Sequence, residues 1–240
     1  MLEAAGWAAL AASTLLIGAW LGTVQKASPR RAGLVMGFGA GALIASVAFE
    51  LTEEAFNTAG AGPLVFGLAT GALAFFLGDR KVDRMGGSGR KSRAPSDEGD
   101  ANALLLGAAL DGIPESLIIG LSLIGGGSVE VAFLVSVAVS NVPEGFASAA
   151  QQHAVGVSTG RILRRWLAIV ALSALCGAIG FALFDELDPR WVAFTQAFAA
   201  GALLTMVMDT MAPEAFRDAG PVTGLVAVAG FWLAFWLGTR

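Results

Sequence analysis

Eight apolar runs, each about as long as a bilayer is thick, constrain this chain more than any other feature. A helix rises 1.5 Å per residue, so about 20 mostly apolar residues cross the hydrocarbon core. The runs fall at 4–25, 32–56, 62–79, 101–124, 128–152, 162–184, 191–215 and 220–238. Only 14% of the 240 residues are charged and 55% are hydrophobic, against about 25% charged in soluble domains. The mean hydropathy is +0.70. The 32 glycines suit close helix packing in lipid. The expectation is an all-α integral membrane fold of eight transmembrane helices, a single transmembrane domain over 1–240. Its one long polar interruption, 80–100, is rich in Gly, Ser, Pro and charge and reads as a loop. Glu3 and the lack of a basic leader argue against a cleavable signal, so the first run is expected to direct its own insertion.

Lys and Arg orient the spans. Thirteen of the 15 fall on one side: Lys26, Arg30, Arg31, the six from Arg80 to Arg93, Arg161, Arg164, Arg165 and Arg217. Arg190 and Arg240 fall on the other. The excess side is cytoplasmic, which puts the 80–100 loop in the cytoplasm and both termini outside. The expected location is the cell membrane, plasma or inner, with multiple passes.

The chain also repeats itself at an offset of 160. Phe38-Gly-Ala-Gly-Ala-Leu43 matches Phe198-Ala-Ala-Gly-Ala-Leu203, and Glu54-Ala-Phe56 matches Glu214-Ala-Phe216. Leu73-Ala-Phe-Phe-Leu-Gly-Asp-Arg80 matches Leu233-Ala-Phe-Trp-Leu-Gly-Thr-Arg240. Spans 1–3 thus correspond to spans 6–8. Five spans separate equivalent helices, an odd number, so the two copies are inverted in a 3+2+3 arrangement. Inverted repeats are a mark of secondary transporters, with the site near the midplane. Spans 4 and 5 are left at the centre. They resemble each other at an offset of 29, Ile113-Pro-Glu115 against Val142-Pro-Glu144.

These two spans carry the chemistry. Asp111-Gly-Ile-Pro-Glu115 and Ser140-Asn-Val-Pro-Glu144 lie near the middles of their runs. Residues four apart share a helix face, which pairs Asp111 with Glu115 and Ser140 with Glu144. A charged side chain at that depth costs at least about 2.5–3.5 kcal/mol. Pro114 and Pro143 are expected to kink their helices and to free the carbonyls of Leu110 and Val139. No Lys or Arg occurs from Ala101 to Gly160. Close carboxylates in low dielectric are neutralised by protons or by a cation. Oxygens assembled without a protein counter-charge make a cation site. Asp111, Glu115, Ser140, Asn141 and Glu144 are the candidate ligands. Glu50 and Asp209 lie inside spans 2 and 7, and Glu54 and Glu214 at helix ends; these four are candidate pathway residues. His153, the one histidine, reads as interfacial, and Cys176, the one cysteine, as packing. Glycines 33, 37 and 41, and 67 with 71, make close-packing faces that would equally let one bundle slide past another.

The residues reached so far resemble the ZIP (Zrt/Irt-like) family of divalent metal transporters, in a divergent prokaryotic-type form. That family has eight spans, outside termini, a 3+2+3 inverted repeat and a variable cytoplasmic loop after span 3. Its metal site lies on spans 4 and 5, in motifs similar to His-Asn-x-Pro-Glu-Gly. The resemblance implies that Glu115 and Glu144 are the two ligating motif glutamates. Asp111 stands where the family has a histidine, Ser140 where span 5 offers a polar ligand, and Glu50 on a pathway position. Gly112 replaces the motif asparagine, whereas Asn141 can still ligate. The family's span 6 glutamate, which helps hold a second metal, has its nearest match in Gly177. The implied site is a single-metal, oxygen-rich one for Zn²⁺ and with it Mn²⁺, Fe²⁺, Co²⁺ or Cd²⁺. The implied activity is alternating-access transport into the cytoplasm, with the ion as substrate and no prosthetic group. The alternative is a proton-coupled transporter of another solute, its carboxylates acting as a relay. An enzyme is not expected: Asp111 and Asp209 are the only aspartates deep in spans, and neither lies in a protease motif. The expected partners are the ion and the bilayer, a homodimer is compatible, and nucleic acid is excluded.

Overall fold

The computed structural model describes residues 1–24, 28–82, 84, 98–124, 127–184 and 187–239. The expected 80–100 loop lies mostly outside the described residues. The chain forms α1 (Leu2–Val24), α2 (Pro29–Ser46), α3 (Glu53–Ala59), α4 (Ala61–Val82), α5 (Glu98–Leu121), α6 (Val131–Ala154), α7 (Thr159–Phe184), α8 (Pro189–Met206), α9 (Ala212–Ala219) and α10 (Val222–Gly238). Wider π turns at Val47–Thr52 and Val207–Met211 join α2 to α3 and α8 to α9. Two 31-residue rods result, Pro29–Ala59 and Pro189–Ala219.

Six described helices are long and apolar enough to cross a membrane: Leu2–Val24, Pro29–Ala59, Ala61–Val82, Val131–Ala154, Thr159–Phe184 and Pro189–Ala219. This is an all-helical integral membrane architecture. The remaining apolar helix, α10, has 17 residues, and the 24-residue α5 carries Asp111 and Glu115. Large apolar side chains point outward, as lipid requires: Ile17 and Trp20 on α1, Val65 and Phe66 on α4, Leu225 and Trp232 on α10.

The two rods share one anatomy, 160 residues apart. Each begins with proline in its first turn, where the missing amide costs nothing. Asp188 caps the second by accepting from the Arg190 amide at 2.8 Å. Each widens into a π turn at the same place and ends at a glycine of positive φ, Gly60 at 76° and Gly220 at 70°. Their packing repeats too. α2 packs on α10, and α8 on α4. A Cβ on Gly41 would meet the Ala227 carbonyl, and one on Gly201 the Leu68 carbonyl, so backbones touch at both crossings.

The helices form two bundles. α1, α5, α6 and α7 pack together, and α2, α4, α8, α9 and α10 make the other. The seam between them runs along α2–α6 and α5–α8. The glycine stripes lie elsewhere than a sliding surface would need. Gly33, Gly37 and Gly41 face α9 and α10, and Gly67 and Gly71 face α8, all inside the second bundle. The seam glycine is Gly39, where a Cβ would stand 2.9 Å from the Ser140 Cα. Ser46 and Ser136 also meet across the seam, hydroxyl to hydroxyl at 3.2 Å. Both central helices run unbroken through Pro114 and Pro143.

Candidate ion site

α5 and α6 present two faces, and the predicted ligands divide between them. The seam face borders a cavity of about 40 Å³, lined by Asp111, Ser140 and Glu144. A buried water needs about 10–15 Å³ on this measure, so the cavity has room for a few waters or a partly hydrated ion. Asp111 and Ser140 are 3% and 2% exposed. The Ser140 hydroxyl donates to the Val137 carbonyl at 3.0 Å, which leaves oxygen lone pairs for a ligand. From these residues the cavity extends past Ser148 and Gln151 to Glu214, toward the end where Arg161, Arg164 and Arg217 lie.

The other face is packed against α1 and α7. Glu115 and Asn141, both buried, line a pocket of only about 10 Å³ with Ser116 and Ser173. The Asn141 amide donates to the Ala11 carbonyl at 3.3 Å, and the Ser116 hydroxyl to the Gly112 carbonyl at 2.7 Å. Glu115 interacts electrostatically with Asp111, one turn earlier on α5. Four residues advance a helix by about 400°, leaving a 40° offset between Asp111 and Glu115. α5 sits between the seam and α7, so that offset turns Glu115 to the closed side. Asn141 lies about 100° round α6 from Ser140 and faces α1. Among the described residues, no three of His, Cys, Asp and Glu converge as a ready-made metal cage.

Gly177 is packed tightly against α1. A Cβ there would come within 2.7 Å of the Ala8 Cβ and 2.9 Å of the Ala4 carbonyl, which leaves no room for a side chain. Ser173, one turn earlier on α7, is the residue beside Glu115 and Asn141.

A third cavity, of about 20 Å³, lies at the opposite end of the seam and is lined by Glu50, Glu54, Glu130 and Gln196. The Gln196 amide donates to Glu54 at 3.0 Å. Glu50 stands on the first π turn, hydrogen-bonded to Ser46, with Oε2 buried and without a hydrogen-bond partner. π turns recur at functional sites. Sequence reasoning missed Glu130 and Gln196. The signal for Gln196 was an amide inside an apolar run, and for Glu130 an acid at the start of one.

The 160-residue repeat relates these two end cavities. Glu50, Leu51, Glu54 and Gln196 line one; their repeat mates Thr210, Met211, Glu214 and Met36 line the other. The mate of Glu50 is Thr210; Asp209, beside it, does not line the seam cavity. Of the four candidate pathway residues, Glu50, Glu54 and Glu214 border cavities. His153 sits exposed at the end of α6, its Nδ1 3.3 Å from the Val157 carbonyl, and Cys176 is a free, half-buried thiol.

No protein-family model matches the chain. It is similar to an Arabidopsis thaliana protein whose name assigns it, provisionally, to zinc transport. The two are 27% identical over 195 residues, 80% of this chain and 31% of the relative. The chain thus spans about a third of the length of that relative.

Proposed function

We propose that this chain is a secondary transporter that moves divalent transition-metal ions into the cytoplasm, as a divergent prokaryotic-type ZIP protein. Zn²⁺ is the first substrate, with Mn²⁺, Fe²⁺, Co²⁺ and Cd²⁺ as further ones. The observation that carries this reading is the seam cavity, where Asp111, Ser140 and Glu144 from the two proline helices share one buried wall. The plant relative, named for zinc transport, supports it.

In this reading the ion sheds part of its water and is held by Asp111 and Glu144, with the Ser140 oxygen. Pro114 and Pro143 donate no amide proton, so the carbonyls of Leu110 and Val139 are further oxygens within reach of the motif. Glu115 and Asn141 join the shell when Glu115 turns from the closed pocket toward Asp111. Oxygen donors of this kind are hard and suit Mn²⁺ along with Zn²⁺. Eight spans, with the first and last three inverted, would place the site on the pseudo-symmetry axis. Movement of the α1–α5–α6–α7 bundle against the other would then expose the ion to each side in turn. Glu50 and Glu54 lie on the outer path and Glu214 on the inner, with both termini outside.

Purified protein in liposomes holding a metal-sensitive dye tests this. Uptake of Zn²⁺, competed by Mn²⁺, Fe²⁺, Co²⁺ and Cd²⁺, is the expected result. Glu144→Ala should abolish uptake while the protein keeps its fold in detergent. Wild-type uptake by that variant refutes the assignment. A proton relay for another solute would instead respond to pH and show no stabilisation by metal.

A further inference from the structure

The end cavities are repeat mates in position, and each is lined by carboxylates, but they differ in charge at one pair of mates. The outer cavity has Glu50 on its π turn, and the inner one has Thr210 in the equivalent place. Thr210 is 5% exposed, and its hydroxyl is buried without a hydrogen-bond partner. That is unusual for this chain. The hydroxyls of Thr70, Thr195 and Thr205 each donate to the carbonyl four residues back, within 3.0 Å. This is what threonine does in a helix interior. Thr52, on the other π turn, donates to the Val47 carbonyl at 2.7 Å. Thr210, on the cavity wall, is the exception among these: its hydroxyl makes no such bond. Gln151, on the facing helix α6, also has its carbonyl oxygen buried without a partner on the same cavity wall.

We infer that Thr210 and Gln151 form a neutral, oxygen-only release site for a partly hydrated divalent cation, between Asp111–Glu144 and the inner carboxylate Glu214. This rests on the transport reading and deepens it. Uncharged hydroxyl and amide oxygens bind a cation more weakly than carboxylates do. An ion leaving the central acids meets two such oxygens before it reaches Glu214. On the outer side the mate of Thr210 is an acid, which holds an ion arriving from dilute solution. The repeat thus keeps the path and changes its charge, so that the inner half lets go of what the outer half captures.

Three variants test this in liposome uptake and in detergent, where a chelator strips Zn²⁺ from preloaded protein. Thr210→Glu restores the carboxylate of the other repeat. It should slow chelator-driven release about tenfold, the order expected when a neutral donor becomes ionised, and lower maximal uptake. The external half-saturating concentration should stay as in the wild type. Thr210→Val, which keeps the shape and removes the oxygen, should lower maximal uptake. Thr210→Ser, which keeps the oxygen, should retain it. Should Thr210→Glu fail to fold, the Val and Ser pair decides alone. Equal uptake by Val, Ser and wild type, at equal thermal stability, overturns the release site while leaving metal transport intact. Absence of divalent uptake by the wild type overturns both.

Discussion

The two faces of the α5–α6 pair carry the same kinds of residue and meet opposite fates. Toward the seam, Asp111, Ser140 and Glu144 border about 40 Å³ of space; toward α1 and α7, Glu115 and Asn141 border about 10 Å³. The difference comes from what covers each face. Ala8, Ala11, Ala12 and Gly112 line the closed side, and small side chains bring helices close. Met36 and Met211 line the open side, where flexible side chains can adapt to what the cavity holds. A pair of similar motifs therefore borders one open cavity and one packed core, according to its neighbours.

The most direct way to break this comparison is to remove a carboxylate from the open face. Glu144→Gln should weaken zinc binding by about 1.5–3 kcal/mol, the worth of a charge-assisted contact, or roughly 10–150-fold in affinity. Equilibrium dialysis reads this. An unchanged affinity would mean that the open face is not where the ion binds. Steric intrusion makes the next largest contrast. Gly39→Ala presses on the Ser140 backbone at the seam, and Gly177→Ala presses on α1 behind it. Each should cost about 1–3 kcal/mol of stability by overpacking. Only Gly39→Ala should also lower uptake per folded molecule; equal uptake by the two would erase the distinction between the faces.

Asn141→Ala gives a smaller effect. It deletes the hydrogen bond to the Ala11 carbonyl and should cost about 0.5–1.5 kcal/mol in unfolding experiments, with a lesser effect on zinc affinity than Glu144→Gln. A larger loss of affinity at Asn141 would reverse the roles of the faces. The smallest effect is at Gly112. A Cβ there meets only the Ser173 hydroxyl, at 3.5 Å, an ordinary contact. Gly112→Ala should raise stability by about 0.5–1 kcal/mol through helix propensity, visible as a higher Tm. A lower Tm would show that the closed face is tighter than it looks.

Much of the helical layout was legible beforehand. The apolar runs at 4–25, 62–79 and 128–152 lie within about two or three residues of Leu2–Val24, Ala61–Val82 and Val131–Ala154. Twenty apolar residues in a row have few other solutions in lipid. The 160-residue repeat was legible too, and the paired rods with their matching prolines and glycines carry it into three dimensions. The π turns were not legible: Pro213 follows the second, but the first has no breaker residue beside it. Thr210 and Gln151 were passed over because a threonine and a glutamine in a helix are ordinary until they are found on a cavity wall with buried, unpartnered oxygens. Asp111 and Glu115 share a helix face and interact, yet a 40° offset puts them on different cavities when the helix lies between two different neighbours.

By itself, the sequence determined which segments are helices and which acids lie deep among them. It also determined that two halves of the chain repeat one design. These follow from local physics, the length of a bilayer and the period of a helix. Only the tertiary structure decided which acids look into a cavity. A sequence specifies the order of residues around a helix but not the rotation of that helix against its neighbours. That rotation set Asp111 and Glu144 on the seam and Glu115 behind them, and it gave Thr210 the place that Glu50 holds in the other repeat.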